Sequence, residues 1–149
     1  MNPFRASLQS SLLVACLVLA LPADARECAA QVRDGWIRLT PVKMPMMAGF
    51  GRIENKCAQP VTIVGASSPA FGDVSLHETR VVDGVSRMRA LPELRIAPDD
   101  AAVLKPGGMH LMLMQPRTTL KEGSRVVIEF ALKDGGVLRG ELEVRKPAP

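Results

Sequence analysis

Residues 125–145 read RVVIEFALKDGGVLRGELEVR, and this stretch decides the fold. Val126, Ile128, Phe130 and Leu132 alternate with more polar neighbours, the period-two pattern of a strand with one buried face. Asp134-Gly135-Gly136 then turns the chain, and Leu138, Leu142 and Val144 alternate on the way back. The stretch predicts an antiparallel hairpin. Upstream, the same punctuation recurs: short β-prone runs at 35–39, 49–55, 61–66, 74–82, 85–88, 102–104 and 109–114, separated by Gly, Pro and Asp turns. No segment sustains a helical apolar period. Eight or nine short strands at this spacing predict an all-β domain, an antiparallel β-sandwich or small Greek-key barrel. No repeat, coiled coil or low-complexity tract interrupts it.

The chain has 149 residues, enough for one domain after a leader is removed. Arg5 precedes an apolar run at 12–21 (LLVACLVLAL), Pro22 breaks it, and Ala23-Asp24-Ala25 is a small-x-small cleavage pattern. We therefore expect residues 1–25 to be a signal peptide, 26–149 to be the mature domain, and the periplasm to be its destination. A second reading makes Leu13-Val14-Ala15-Cys16 a lipobox with Cys16 lipidated; the apolar residues 17–21, where a lipoprotein would continue into a polar tether, argue against it. No later segment is long and apolar enough to span a bilayer. With Cys16 removed, Cys28 and Cys57 remain, and an even count in an oxidising compartment suggests a disulfide. The alternative is a pair of thiolate metal ligands.

The net charge of +4 is mild and its bases are scattered. With no Tyr and Trp36 as the sole Trp, the chain lacks the stacking aromatics and basic stripe that nucleic-acid binding needs.

The chain has two histidines, His77 and His110, and each stands near methionine. Asp83-Gly84 is a favoured two-residue hairpin turn, and its register pairs Val82 with Val85, Arg80 with Arg87 and Thr79 with Met88. His77 shares a face with Thr79, so His77 and Met88 become diagonal neighbours about 7–8 Å apart at the backbone. Pro106-Gly107-Gly108 makes a second turn before the strand at 109–114. Period two puts His110, Met112 and Met114 on one face of that strand, with Met109, Leu111 and Leu113 on the other. Strand methionines are commonly core filler, so any one of these residues has an ordinary explanation. Two His–Met pairs, each sharing a strand face, point instead to a metal site. Thioether sulfur is a soft neutral donor that Cu(I) accepts and that Zn(II) and hard cations use poorly.

At these residues the sequence resembles a known family. His77, ten residues, Met88, twenty-one residues, His110, one residue and Met112 are similar to the H-x10-M-x21-H-x-M signature of PCu(A)C-type periplasmic copper chaperones. Gly35-Trp36-Ile37-Arg38, Val74-Ser75-Leu76-His77-Glu78 and the run from Pro106 to Met114 extend the likeness over the mature chain. The resemblance implies a cupredoxin-like β-barrel, one Cu(I) held by His77, Met88, His110 and Met112, and delivery to the copper centre of cytochrome c oxidase or another copper carrier. Two features lie outside the signature. The Cys28/Cys57 pair suggests a subgroup with a structural disulfide. Met44-Pro45-Met46-Met47 is either a soft lid or second copper site, or an apolar loop packing on the barrel end.

Competing classes are weaker. A blue-copper protein needs a Cys thiolate beside two His, and neither mature cysteine lies near the 109–114 strand. No nucleophile–base–acid set suggests an enzyme. A copper-storage or resistance protein and a metal-free β-sandwich interaction module remain as alternatives. Glu78 is adjacent to His77 but should face the opposite way, and Arg80, Arg87 and Arg89 read either as a docking rim or as a solvated hairpin face.

Overall fold

The computed structural model describes residues 28–147, and among these every regular element is a strand. The leader at 1–25 and the Cys16 lipobox lie outside the described residues. Ten strands follow in order: β1 (Gln31–Arg38), β2 (Met46–Asn55), β3 (Val61–Ser67), β4 (Phe71–Val82), β5 (Val85–Ala90), β6 (Leu94–Ile96), β7 (Asp100–Leu104), β8 (Met109–Pro116), β9 (Arg125–Leu132) and β10 (Val137–Arg145). The expected C-terminal hairpin is present, with Val137 opposite Ala131 and Leu142 opposite Val126.

The strands form one sheet ordered β5-β4-β8-β7-β2-β1-β10-β9-β3-β6, which closes on itself through β3 and β4 at Ala66 and Val74. The closing ring β4-β8-β2-β1-β10-β9-β3 contains an odd number of strands, so at least one neighbouring pair must run parallel. That pair is β1 with β10, Trp36 lying opposite Glu143. The fold is thus antiparallel except at this seam and at one parallel contact between Leu104 and Met109. The interior is filled by the inward residues of the alternating strands, among them Ile37, Ile53, Ile63, Phe71, Leu111, Leu113, Ile128, Phe130, Leu142 and Val144. Alternation in β8 therefore commits Leu111 and Leu113 to the core and turns His110, Met112 and Met114 to the outer side.

Several strands run longer than expected, β2 from Met46, β5 to Ala90, β7 from Asp100 and β8 to Pro116, and three further differences have a local cause. β1 starts at Gln31 because a bulge between Arg33 and Trp36, with Asp34 at φ 51°, lets it pair with β2 further upstream. β4 starts at Phe71, whose ring is a core residue. β6 was not expected from its three residues; it pairs with β3 and is tied in by Asn55, which is fully buried. The Asn55 side-chain amide donates to the carbonyls of Gln59 (2.8 Å) and Ala97 (3.1 Å), and its Oδ1 accepts from the backbone N–H of Cys57 (3.1 Å). Cys57 is disulfide-bonded to Cys28, 29 residues away. Closing that loop contributes about 3–4 kcal/mol on the chain-entropy account. Both cysteines are thereby removed as thiolate ligands.

Candidate metal centre

The β4–β5 hairpin adopts the register read from its turn. Asp83 (φ 52°) and Gly84 (φ 75°) both occupy the left-handed region, the geometry of a type I′ turn that only Gly and a few polar residues accept readily. Val82 faces Val85, Arg80 faces Arg87 and Thr79 faces Met88. A one-residue slip would have turned Met88 to the other side of the sheet.

On its other edge β4 pairs with β8, and this register sets His77 directly opposite His110. The two rings lie with centroids 6.0 Å apart and planes inclined at 30°. Met88 reaches over from β5, its Sδ 3.3 Å from His110 Nε2. Met112 stands two residues beyond His110 on the same face, half-buried, with Ser75 opposite it on β4 and Ala48 opposite it on β2. The structure therefore gathers His77, Met88 and His110 and places Met112 on their face.

The hydrogen bonds around the rings limit what the site can do. His110 Nδ1 lies 2.9 Å from the carbonyl oxygen of Gly108. A carbonyl only accepts, so Nδ1 carries the proton, and in the neutral ring the Nε2 lone pair is left facing the Met88 thioether. Two Lewis bases then point at each other. Donors sharing a tetrahedral ion, with bonds of about 2.0–2.3 Å to nitrogen and sulfur, sit about 3.6 Å apart; the observed 3.3 Å is close to that. His77 Nε2 is 3.1 Å from the Ser75 hydroxyl, while its Nδ1 is buried with no hydrogen-bond partner. A buried ring nitrogen without a partner carries a cost that a metal bond removes.

Burial lowers the His77 pKa from its ordinary value of 6.5, and proximity to His110 lowers it further, with the Asp73 carboxylate opposing both. Both effects favour the neutral ring, which is the form that binds metal. Burial is graded across the set. His110 is 7 % exposed, His77 is partly buried, and Met88, on the fully exposed edge strand β5, is 55 % exposed.

Among the described residues no three His, Cys, Asp or Glu side chains converge as a metal cluster. The donors on this face are imidazoles and thioethers, a set suited to a soft monovalent ion rather than to zinc or calcium. Glu78 faces away from His77, as alternation requires, and accepts from Arg80 (2.8 Å) and Arg89 (2.9 Å). The Arg80 hydrogen bond first, and then Arg89, hold its carboxyl below the usual range. Two of the three rim arginines are thus occupied by a carboxylate. The Met44–Met47 run divides. Met47 is buried in the core, Met46 is exposed at the start of β2, and Met44 lines a cavity of about 360 Å³ with Leu39, Met47 and Leu120.

Sequence reasoning missed the roles of Ser75, Asp73 and the Gly108 carbonyl. Ser75 was legible from period two alone, two residues before His77. The other two are also local, Gly108 two residues before His110 and Asp73 four before His77 on β4, but no sequence pattern says that a backbone carbonyl would meet the ring or that the carboxylate would act on it.

Comparison with known proteins bears on the family and the fold. The model of the LpqE-like family, described as "Putative lipoprotein LpqE-like", matches residues 30–144. A relative in Leifsonia xyli subsp. xyli, "Putative lipoprotein Lxx21020", is 32 % identical over 129 residues, spanning 83 % of this chain and 76 % of the relative. Among solved structures, the solution structure of CuI-DR1885 from Deinococcus radiodurans is 29 % identical with a TM-score of 0.65, covering 83 % of each chain. The copper-bound PCuAC domain from PmoF2 shares the fold at 16 % identity and a TM-score of 0.64, covering 79 % of this chain and 93 % of that domain. The chain belongs to the LpqE-like lipoprotein family, and the PCu(A)C-type resemblance of its sequence extends to its whole fold.

Proposed function

We propose that this chain is an exported copper carrier that binds one Cu(I) through His77, Met88, His110 and Met112 and passes it to an acceptor, the copper centre of cytochrome c oxidase or another copper carrier. The observation that carries this reading is the His110 Nε2 lone pair held 3.3 Å from the Met88 sulfur by the Nδ1–Gly108 hydrogen bond. The Cu(I) form solved for the Deinococcus relative supports the same ion. Neutral ligands leave the bound ion with a single charge, which lowers the cost of partial burial.

The gradient of exposure sets an order for release. Met88, on the exposed edge strand, exchanges first with a ligand of the acceptor, and buried His110 exchanges last, so the ion is never free. Carriage, not catalysis, is what such a face performs. The disulfide suits an oxidising compartment, and we place the protein in the periplasm. The lipoprotein names of the family and the relative favour weighing Cys16 as an anchor against cleavage near Arg26; intact mass of the membrane and soluble fractions distinguishes them.

Anaerobic Cu(I) titration against a competing chelator tests the site. Wild type should bind tightly at this face, and each of His77→Ala, His110→Ala, Met88→Leu and Met112→Leu should weaken binding. Four variants that bind as wild type would remove the site.

A further inference from the structure

The outer face that holds the two histidines continues past Met112 to a second pair of thioethers. β2 and β8 are registered so that Met46 lies opposite Met114 and Ala48 opposite Met112. Directly opposed side chains on one face have Cβ atoms about 4.5–5.5 Å apart. Two residues along β8, about 7 Å, separate Met114 from Met112. Nothing bulky lies beside that step, since the residues flanking Met112 are Ala48 and Ser75. On its other side Met114 faces Asp73 of β4, an exposed carboxylate.

Packing does not account for these methionines. The core in this region is filled by their alternates, Met47 at 8 % exposure and Leu113 at 0 %, while Met46 is 39 % exposed. The pair stands where water and a diffusing ion reach it, with a negative charge at its margin.

We propose that Met46 and Met114 form a second, weaker Cu(I) station, contiguous through Met112 with the four-ligand site and dependent on that site's reading as the Cu(I) centre. Two neutral sulfurs select Cu(I), or Ag(I) as its redox-silent analogue, and reject hard divalent ions. Asp73 adds attraction for the cation without entering a thioether pair's soft selectivity. With fewer donors the station fills after the main site, and it is placed to pass an ion to Met112 by exchange of one sulfur at a time. Met44 is not part of it, because Met44 lines the cavity at the barrel end.

The test is anaerobic titration of the mature protein, labelled at the methionine methyls with ¹³C, with Cu(I) to two equivalents; resonances are assigned by single Met→Leu variants, which conserve volume. The Met88 and Met112 methyls should shift over the first equivalent, and those of Met46 and Met114 together over the second. Met46→Leu should abolish the Met114 shift, and Met114→Leu the Met46 shift, while Met44→Leu leaves the second step unchanged. Stationary Met46 and Met114 methyls through two equivalents would overturn the station, as would a Met114 shift that persists in Met46→Leu or vanishes in Met44→Leu. Shifts at Met46 and Met114 with none at Met88 and Met112 would remove the four-ligand reading and with it the station's place as a second, weaker one, whereas shifts at Met88 and Met112 alone would overturn only the station.

Discussion

Acidification should weaken Cu(I) binding along a slope that counts the histidines in the site. Thioethers do not protonate in the accessible range, whereas a protonated imidazole must lose its proton before it binds. One pH unit below its pKa, each histidine costs about 1.4 kcal/mol, or tenfold in affinity. Well below both pKa values, two histidines give a hundredfold loss per unit, a slope of about two in log affinity against pH. The His77 pKa lies below 6.5 through burial and through His110, with Asp73 opposing. Its share of the slope therefore emerges at lower pH than an ordinary histidine would give. His77→Ala and His110→Ala should each flatten the limiting slope to about one. Met88→Leu should lower affinity at every pH yet keep the slope of about two, because it removes no titrating group. The same shift acts on the apo fold. A lowered folded pKa means the unfolded chain binds more protons, so His77's contribution to stability is present above 6.5 and is lost as pH falls through the folded pKa. The assay is anaerobic competition with a chelator whose own proton affinity is known, from neutral pH downward. A pH-independent affinity, or a Met88→Leu slope as flat as that of His77→Ala, would refute the assignment of imidazole and thioether roles.

Three further outcomes follow from the contacts. Ser75→Ala removes the hydroxyl 3.1 Å from His77 Nε2 and should lower Cu(I) affinity about 10–100-fold with stoichiometry unchanged, as loss of an orienting partner does; an unchanged affinity would deny Ser75 that role. Cys28 and Cys57 should resist alkylation without reductant, and replacing both with Ala should cost about 3–4 kcal/mol in denaturant unfolding; two freely alkylated thiols would contradict the bond. Asn55→Ala strands the Cys57 N–H and cuts the tie to β6, so unfolding should become easier by about 1–3 kcal/mol while Cu(I) affinity holds.

Local chemistry carried much of the fold. The Asp83-Gly84 turn specified its hairpin register residue by residue because a two-residue loop leaves no slack, and Met88 fell on the predicted face. Alternation in RVVIEFAL and MHLMLM sorted core from surface without reference to any partner strand. What the local pattern omitted was long-range pairing. That His77 would face His110, rather than merely share a sheet with it, depends on β4 and β8 meeting across a long stretch of intervening chain. The parallel β1–β10 seam follows from ring closure, a property of the whole sheet. β6 is held by pairing with β3 and by a buried Asn55, whose importance lies in three carbonyls it reaches and not in any periodicity. Met46 and Met114 were each visible as methionines, but their opposition across β2 and β8 was not.

X-ray absorption at the copper edge of the one-equivalent Cu(I) complex reads the ligand set itself. Two imidazole nitrogens and two thioether sulfurs should surround the ion, with one sulfur lost in Met88→Leu, one in Met112→Leu, and one nitrogen lost in each histidine variant. A first shell without sulfur, or one that is the same in wild type and all four variants, would contradict it.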